Sequence, residues 1–164
     1  MTELTVTGEV VLKGQYEEQA FTSVQAANVT VVKQDAFYNC QQLERASFPE
    51  LVQVNQYAFQ NCIKLADFVA TKLKFVGQNS FSNCQTLKCL NFPQLLICAP
   101  QSFYYCRSLK RFESPKLKQI DAFAFAHCRY LQTLPKEFTE QVTRRVNTQS
   151  ITFHKRWTLS KQEY

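Results

Sequence analysis

Apolar positions recur along this chain with a period of 22 residues. The segments Ala36-Phe37-Tyr38-Asn39-Cys40, Ala58-Phe59-Gln60-Asn61-Cys62, Ser80-Phe81-Ser82-Asn83-Cys84, Ser102-Phe103-Tyr104-Tyr105-Cys106 and Ala124-Phe125-Ala126-His127-Cys128 keep Phe and Cys in step, without insertions. A fixed period of this length describes one structural unit stacked on itself, so the pattern predicts a solenoid. Three residues past each Cys a second apolar run begins: Leu43-x-x-Ala46-x-Phe48, Leu65-x-x-Phe68-x-Ala70, Leu87-x-x-Leu90-x-Phe92, Leu109-x-x-Phe112-x-Ser114 and Leu131-x-x-Leu134. Alternation within these runs predicts one short strand per coil with its apolar side chains inward. Pro49, Pro93, Pro115 and Pro135 follow in four of the five coils and, lacking an N–H, end the ladder and turn the chain. An apolar pair comes next, at Leu51/Val54, Leu73/Val76, Leu95/Cys98 and Leu117/Ile120, with Val29/Val32 as a weaker early copy. It leads into the Phe/Cys motif, where Phe37 and Cys40, three apart, fit one face of a single helical turn. One coil therefore reads strand, turn, short extended run, helical turn.

The repeated Phe residues predict a column inside the solenoid, with each ring filling the space between two turns. The 14 Phe against one Trp and one Met make phenylalanine the main core material. Five of the seven Cys share one repeat position, which is not the spacing of a disulfide framework. Equivalent side chains in parallel register point side by side, so the column is expected to be reduced and buried, as small hydrophobes are. A ladder along an axis does not converge on one metal ion, and no metal site is expected.

The LxxLxL runs carry the signature of a leucine-rich repeat. The full pattern, Cys-x-x-Leu-x-x-Φ-x-Φ-Pro followed by the second apolar pair and Ala-Phe-x-x-Cys, resembles the BspA-like class of these repeats over residues 21–142. The resemblance implies an α/β solenoid with a parallel β-sheet on the concave face, short strands and helical turns on the convex side, and protein binding or adhesion in place of catalysis. The Gly common before the Ala-Phe motif survives only as Gly77, replaced elsewhere by Lys33, Asn55, Ala99 and Asp121. If that place needs positive φ, Asn and Asp tolerate it and Ala and Lys do so poorly. The chain reads as a single domain: an N-terminal cap over residues 1–20, repeats over 21–142, and a C-terminal cap or tail over 143–164, with a strand expected at 151–157.

On the concave sheet the outward positions form two columns. One runs Ser23, Arg45, Asp67, Cys89, Arg111, Thr133, and the other Gln25, Ser47, Val69, Asn91, Glu113, Pro135. They are mixed and non-repeating, which suits a binding surface and a solvated face alike. Charge is uneven along the axis: residues 1–82 hold 6 basic and 8 acidic side chains, net −2, and residues 83–164 hold 13 and 5, net +8. A basic half of this kind steers acidic partners. The candidate binding residues are Arg45, Asp67, Val69, Lys88, Cys89, Asn91, Lys110, Arg111 and Glu113. Cys89 is the one thiol expected at the surface, either incidental or activated by the positive surroundings of Lys88 and Arg111. A protein partner is the first expectation. Nucleic acid or anionic lipid comes after it, supported by Tyr104, Tyr105 and Tyr130 near the basic half.

No enzyme, cofactor or small-molecule substrate is expected. Three scattered Gly leave no phosphate loop, GxSxG, HExxH and CxxC are missing, and the two His, His127 and His154, are too few for most acid–base schemes. His127 replaces the Asn of Asn39, Asn61 and Asn83, where hydrogen bonding to the turn backbone accounts for the residue type. The opening residues have neither a basic start nor a continuous apolar stretch, and no transmembrane segment is legible, so a cytoplasmic location is expected. A cell-surface location is the alternative that the resemblance implies, and only there would the Asn28-Val29-Thr30 sequon matter.

Overall fold

The computed structural model describes residues 2–134 and Phe138. Each coil contributes a three-residue strand and then a two-residue strand: Glu3–Thr5 (β1) and Val10–Val11 (β2), Ser23–Gln25 (β3) and Val31–Val32 (β4), Arg45–Ser47 (β5) and Gln53–Val54 (β6), Asp67–Val69 (β7) and Phe75–Val76 (β8), Cys89–Asn91 (β9) and Ile97–Cys98 (β10), Arg111–Glu113 (β11) and Gln119–Ile120 (β12). All pairing is parallel, and from β3 onward each strand faces the residue 22 places on, so Arg45 lies opposite Asp67 and Cys89 opposite Arg111. The shorter strands form one continuous six-stranded sheet. The longer ones divide into β1-β3-β5-β7 and β9-β11. Beside the break the Thr86 hydroxyl lies 2.9 Å from both the Ile63 and the Leu65 carbonyl oxygens.

The expected helical turn is not formed. No helix lies among the elements between residues 2 and 134, so the fold is a parallel β-solenoid and not an α/β one. The hydrogen bonds give the reason. Asp35, Phe37 and Asn39 donate their N–H groups to Gln56, Ala58 and Gln60 of the next coil, at 3.2, 2.8 and 2.8 Å, while Ala36, Tyr38 and Cys40 donate to carbonyls three residues back. Alternate N–H groups thus leave the coil, and a helical i to i−4 ladder cannot close. Asp35 and Asn39 also stand at φ 55° and 57°, a left-handed conformation that interrupts a right-handed helix.

The left-handed positions form two columns. One is Asp35, Tyr57, Asn79, Gln101 and Phe123, and the other Asn39, Asn61, Asn83, Tyr105 and His127, all between 52° and 63°. The Asn ladder is therefore explained by backbone conformation, since Asn tolerates this region, and the Asn83 amide adds a 2.9 Å bond to Asn61 Oδ1. Gly77 does not belong to either column, contrary to the expectation of positive φ there. It is required by close approach: a Cβ on it would stand 2.7 Å from Asn55 C and Gln56 N.

Phe37, Phe59, Phe81, Phe103 and Phe125 stack as expected, with successive centroids 4.9, 5.3, 5.3 and 5.2 Å apart and rings within 11° of parallel. Phe68 meets Phe81 edge-on at 4.8 Å, and Phe112 meets Phe125 likewise. Quadrupole attraction favours both arrangements. All seven Cys are free thiols, and only Cys89 is exposed. Each thiol of the column donates to a carbonyl of the coil before it: Cys40 to Tyr16 at 2.9 Å, and Cys62 to Phe37, Cys84 to Phe59, Cys106 to Phe81 and Cys128 to Phe103 at 3.1–3.2 Å. A small side chain with one weak donor suits this place beneath the next turn. The strand expected at 151–157, and the cap to which it belongs, lie outside the described residues.

Candidate functional site

A three-residue strand on a core has one inward and two outward side chains, and the long-strand face shows that rule. Phe68, Leu90 and Phe112 are buried, and Asp67/Val69, Cys89/Asn91 and Arg111/Glu113 flank them in the open. Val69 is 48% exposed, an uncovered apolar group in the middle of a polar face. Lys88 and Lys110 stand just before their strands, joined by a 2.8 Å bond from the Lys110 N–H to the Lys88 carbonyl. All nine candidate residues are exposed: Arg45, Asp67, Val69, Lys88, Cys89, Asn91, Lys110, Arg111 and Glu113. Ser23 departs from its column and is buried.

The register brings Cys89 and Arg111 side by side, and Arg111 Nε donates to Cys89 Sγ at 3.4 Å. That bond, before any other influence, raises the Arg111 guanidinium above its ordinary value. Arg45 faces Asp67 across the ladder, yet its ion pair is with its neighbour Glu44 at 3.4 Å. Lys88, Arg107, Lys110, Arg111, Lys116, Lys118 and Arg129 are all exposed, and none forms an ion pair with a carboxylate among the described residues. Lys116 instead donates to Gln94 Oε1. The buried thiols are poor nucleophiles: burial pushes Cys40 up to about 11 and lifts Cys62, Cys84, Cys98 and Cys106 well above the usual thiol range. Among the described residues no group of three His, Cys, Asp or Glu could hold a metal ion.

Tyr104 and Tyr105 do not interleave with the basic strand residues; they sit in the turn stack between β10 and β11. Tyr105 stacks on His127 at 4.2 Å, and Arg107 lies 5.0 Å from the centre of its ring. This cluster continues the Asn column in aromatic form. The departure of residues 105 and 127 from Asn was its visible signal, but the stacking was not legible from spacing alone.

A protein-family model described as a BspA type leucine rich repeat region matches residues 13–132 and 97–156, with 6 copies in all. No curated protein matches the chain. Among solved structures, a leucine-rich repeat protein from Eubacterium ventriosum superposes with a TM-score of 0.75 at 23% identity, over 82% of this chain and 39% of its own. One from Bacteroides ovatus gives 0.67 at 21% identity, over 92% and 41%. A leucine rich cell surface protein from Faecalibacterium prausnitzii gives 0.59 at 23%, over 81% and 42%. The chain spans about two fifths of the length of these three proteins. At these identities the likeness is one of fold. No helix among the described residues is long and apolar enough to cross a membrane.

Proposed function

The chain belongs to the BspA-type leucine-rich repeat family, and from that premise we propose that it is a non-enzymatic module that binds an acidic protein partner across its long-strand face and basic half. One observation carries this reading: seven exposed cations from Lys88 to Arg129 have no carboxylate partner among the described residues, and three of them, Lys88, Lys110 and Arg111, stand in or just before β9 and β11. Unneutralised charge on a rigid face raises association rates with a partner of opposite sign and sets which partners are refused. Val69 supplies an apolar contact in the same face, of the sort that sits inside a charged rim. The family match is to a repeat region and to no catalytic family.

The test is affinity capture from native-cell lysate with the wild type and with Lys88→Glu/Arg111→Glu, each with and without nuclease. A protein retained by the wild type, lost with the variant and indifferent to nuclease is the expected result. Capture that survives the charge reversal sinks the site assignment, and capture that vanishes with nuclease moves the basic half to nucleic acid.

A second reading, adhesion at a cell surface, is supported by the fold shared with the Faecalibacterium prausnitzii cell surface protein. Antibody labelling of intact cells separates the two: labelling favours adhesion, and labelling only after permeabilisation removes it.

A further inference from the structure

The sheet of shorter strands carries a cleft of its own, apart from the long-strand face. It is an open depression of about 390 Å³, lined by Gln34, Asn55, Gln56 and Gln78 with Phe75 and Pro100. Gly77 lines it too and carries no side chain there, because a Cβ would stand 2.7 Å from the backbone at Asn55 and Gln56. The period builds the polar wall, because Gln34, Gln56 and Gln78 stand 22 residues apart on successive coils. Phe75, half-buried, faces Gln53 on one side and Ile97 on the other along its sheet.

Two of the amides are engaged already: Gln34 Nε2 donates to Asp35 Oδ2 at 2.9 Å, and Asn55 Oδ1 accepts from Gln53. The Gln56 and Gln78 side chains have no hydrogen-bond partner among the described residues, and both are exposed. Each carries two N–H donors and a carbonyl acceptor. No ionisable side chain lines the cleft, so a charged ligand would lose water there without meeting a countercharge. A purely apolar ligand would strip water from four amides for the sake of one ring. What fits is a neutral molecule with hydroxyl groups that both donate and accept, and with an apolar C–H face to lie on Phe75. Its size lies within the range of small-molecule sites, roughly 300–1,000 Å³.

We propose that this amide-lined cleft is a binding site for a neutral saccharide of one or two rings, held by Gln56 and Gln78 and stacked on Phe75. It lies on a different sheet from β9 and β11 and does not depend on the function proposed for the long-strand face.

Saturation-transfer NMR on the full chain tests it, with maltose, cellobiose, lactose and N,N′-diacetylchitobiose as neutral probes and glucuronic acid and glucosamine as charged ones. At least one neutral disaccharide should receive saturation at its ring C–H protons. Gln56→Ala/Gln78→Ala, which removes only exposed groups, should weaken it about tenfold, and so should Phe75→Ala. Thermal melts confirm that each variant is folded, and Lys88→Glu/Arg111→Glu should bind the sugar as the wild type does. Silence from all four neutral probes, binding untouched in the glutamine variant, or equal binding of the charged probes overturns the proposal.

Discussion

Replacing Ser80 by Ala should stabilise this protein, against the usual direction of core substitutions. Ser80 and Ser102 occupy the place held by Ala36, Ala58 and Ala124 in the other coils, and both are completely buried. Neither Oγ has a hydrogen-bond partner among the described residues. Burying a hydroxyl without a partner costs ~1–3 kcal/mol on mutational scales. Removing one oxygen leaves a void smaller than a methylene, worth under ~1 kcal/mol of lost contact and burial. The balance is a gain of about 1 kcal/mol per substitution, which for a chain of this size raises Tm by ~2–4 °C. Urea denaturation followed by circular dichroism, on the wild type, Ser80→Ala, Ser102→Ala and the reverse change Ala58→Ser, measures it. Ala58→Ser should lose at least as much as Ser80→Ala gains, because it buries a hydroxyl in the same column. A loss of 1 kcal/mol or more for Ser80→Ala would show that its hydroxyl is satisfied in solution and that the reasoning fails.

Phe81→Ala removes a ring stacked on both Phe59 and Phe103 and met edge-on by Phe68, and should cost ~3–5 kcal/mol, so a denaturation loss below about 1 kcal/mol would take Phe81 out of the core. Ellman's reagent at neutral pH should label one thiol of seven rapidly, Cys89, and the rest only on unfolding; rapid labelling of two or more would open the column. Burial holds the Cys40 thiol protonated up to about 11 in the folded chain, against 9.0 for the free group. The folded state therefore keeps protons that the unfolded state releases, so the thiol contribution to stability is complete below pH 9 and is lost as pH rises from about 9 to 11. Cys84 is shifted in the same direction by burial, so the fall in urea midpoint between pH 8 and 10.5 should be shallower in Cys84→Ala than in the wild type; equal slopes would refute this.

The repeating apolar pattern already contained the strands, the phenylalanine column and the buried thiols, because equivalent places in a stack meet equivalent neighbours. It also placed the candidate face: Asp67, Cys89 and Arg111 sit outside Phe68, Leu90 and Phe112 as alternation along a strand demands. The helical turn was misread for a physical reason. A spacing of three between Phe37 and Cys40 fits a helix, but it fits equally a stack of turns in which every second N–H reaches the next coil. Only the destination of those hydrogen bonds separates the two, and that destination is another coil.

Taken alone, the residues determined which positions are equivalent, which face inward, and where positive charge gathers. The tertiary structure decided what each backbone group binds and which side chains become neighbours across coils: the left-handed columns, the break between β7 and β9, the Arg111 contact to Cys89, and the amide-lined cleft beside Gly77. A period sets the translation from one coil to the next. It does not set φ, or the partner of an N–H, because those follow from how closely two coils approach and which carbonyl then lies within reach.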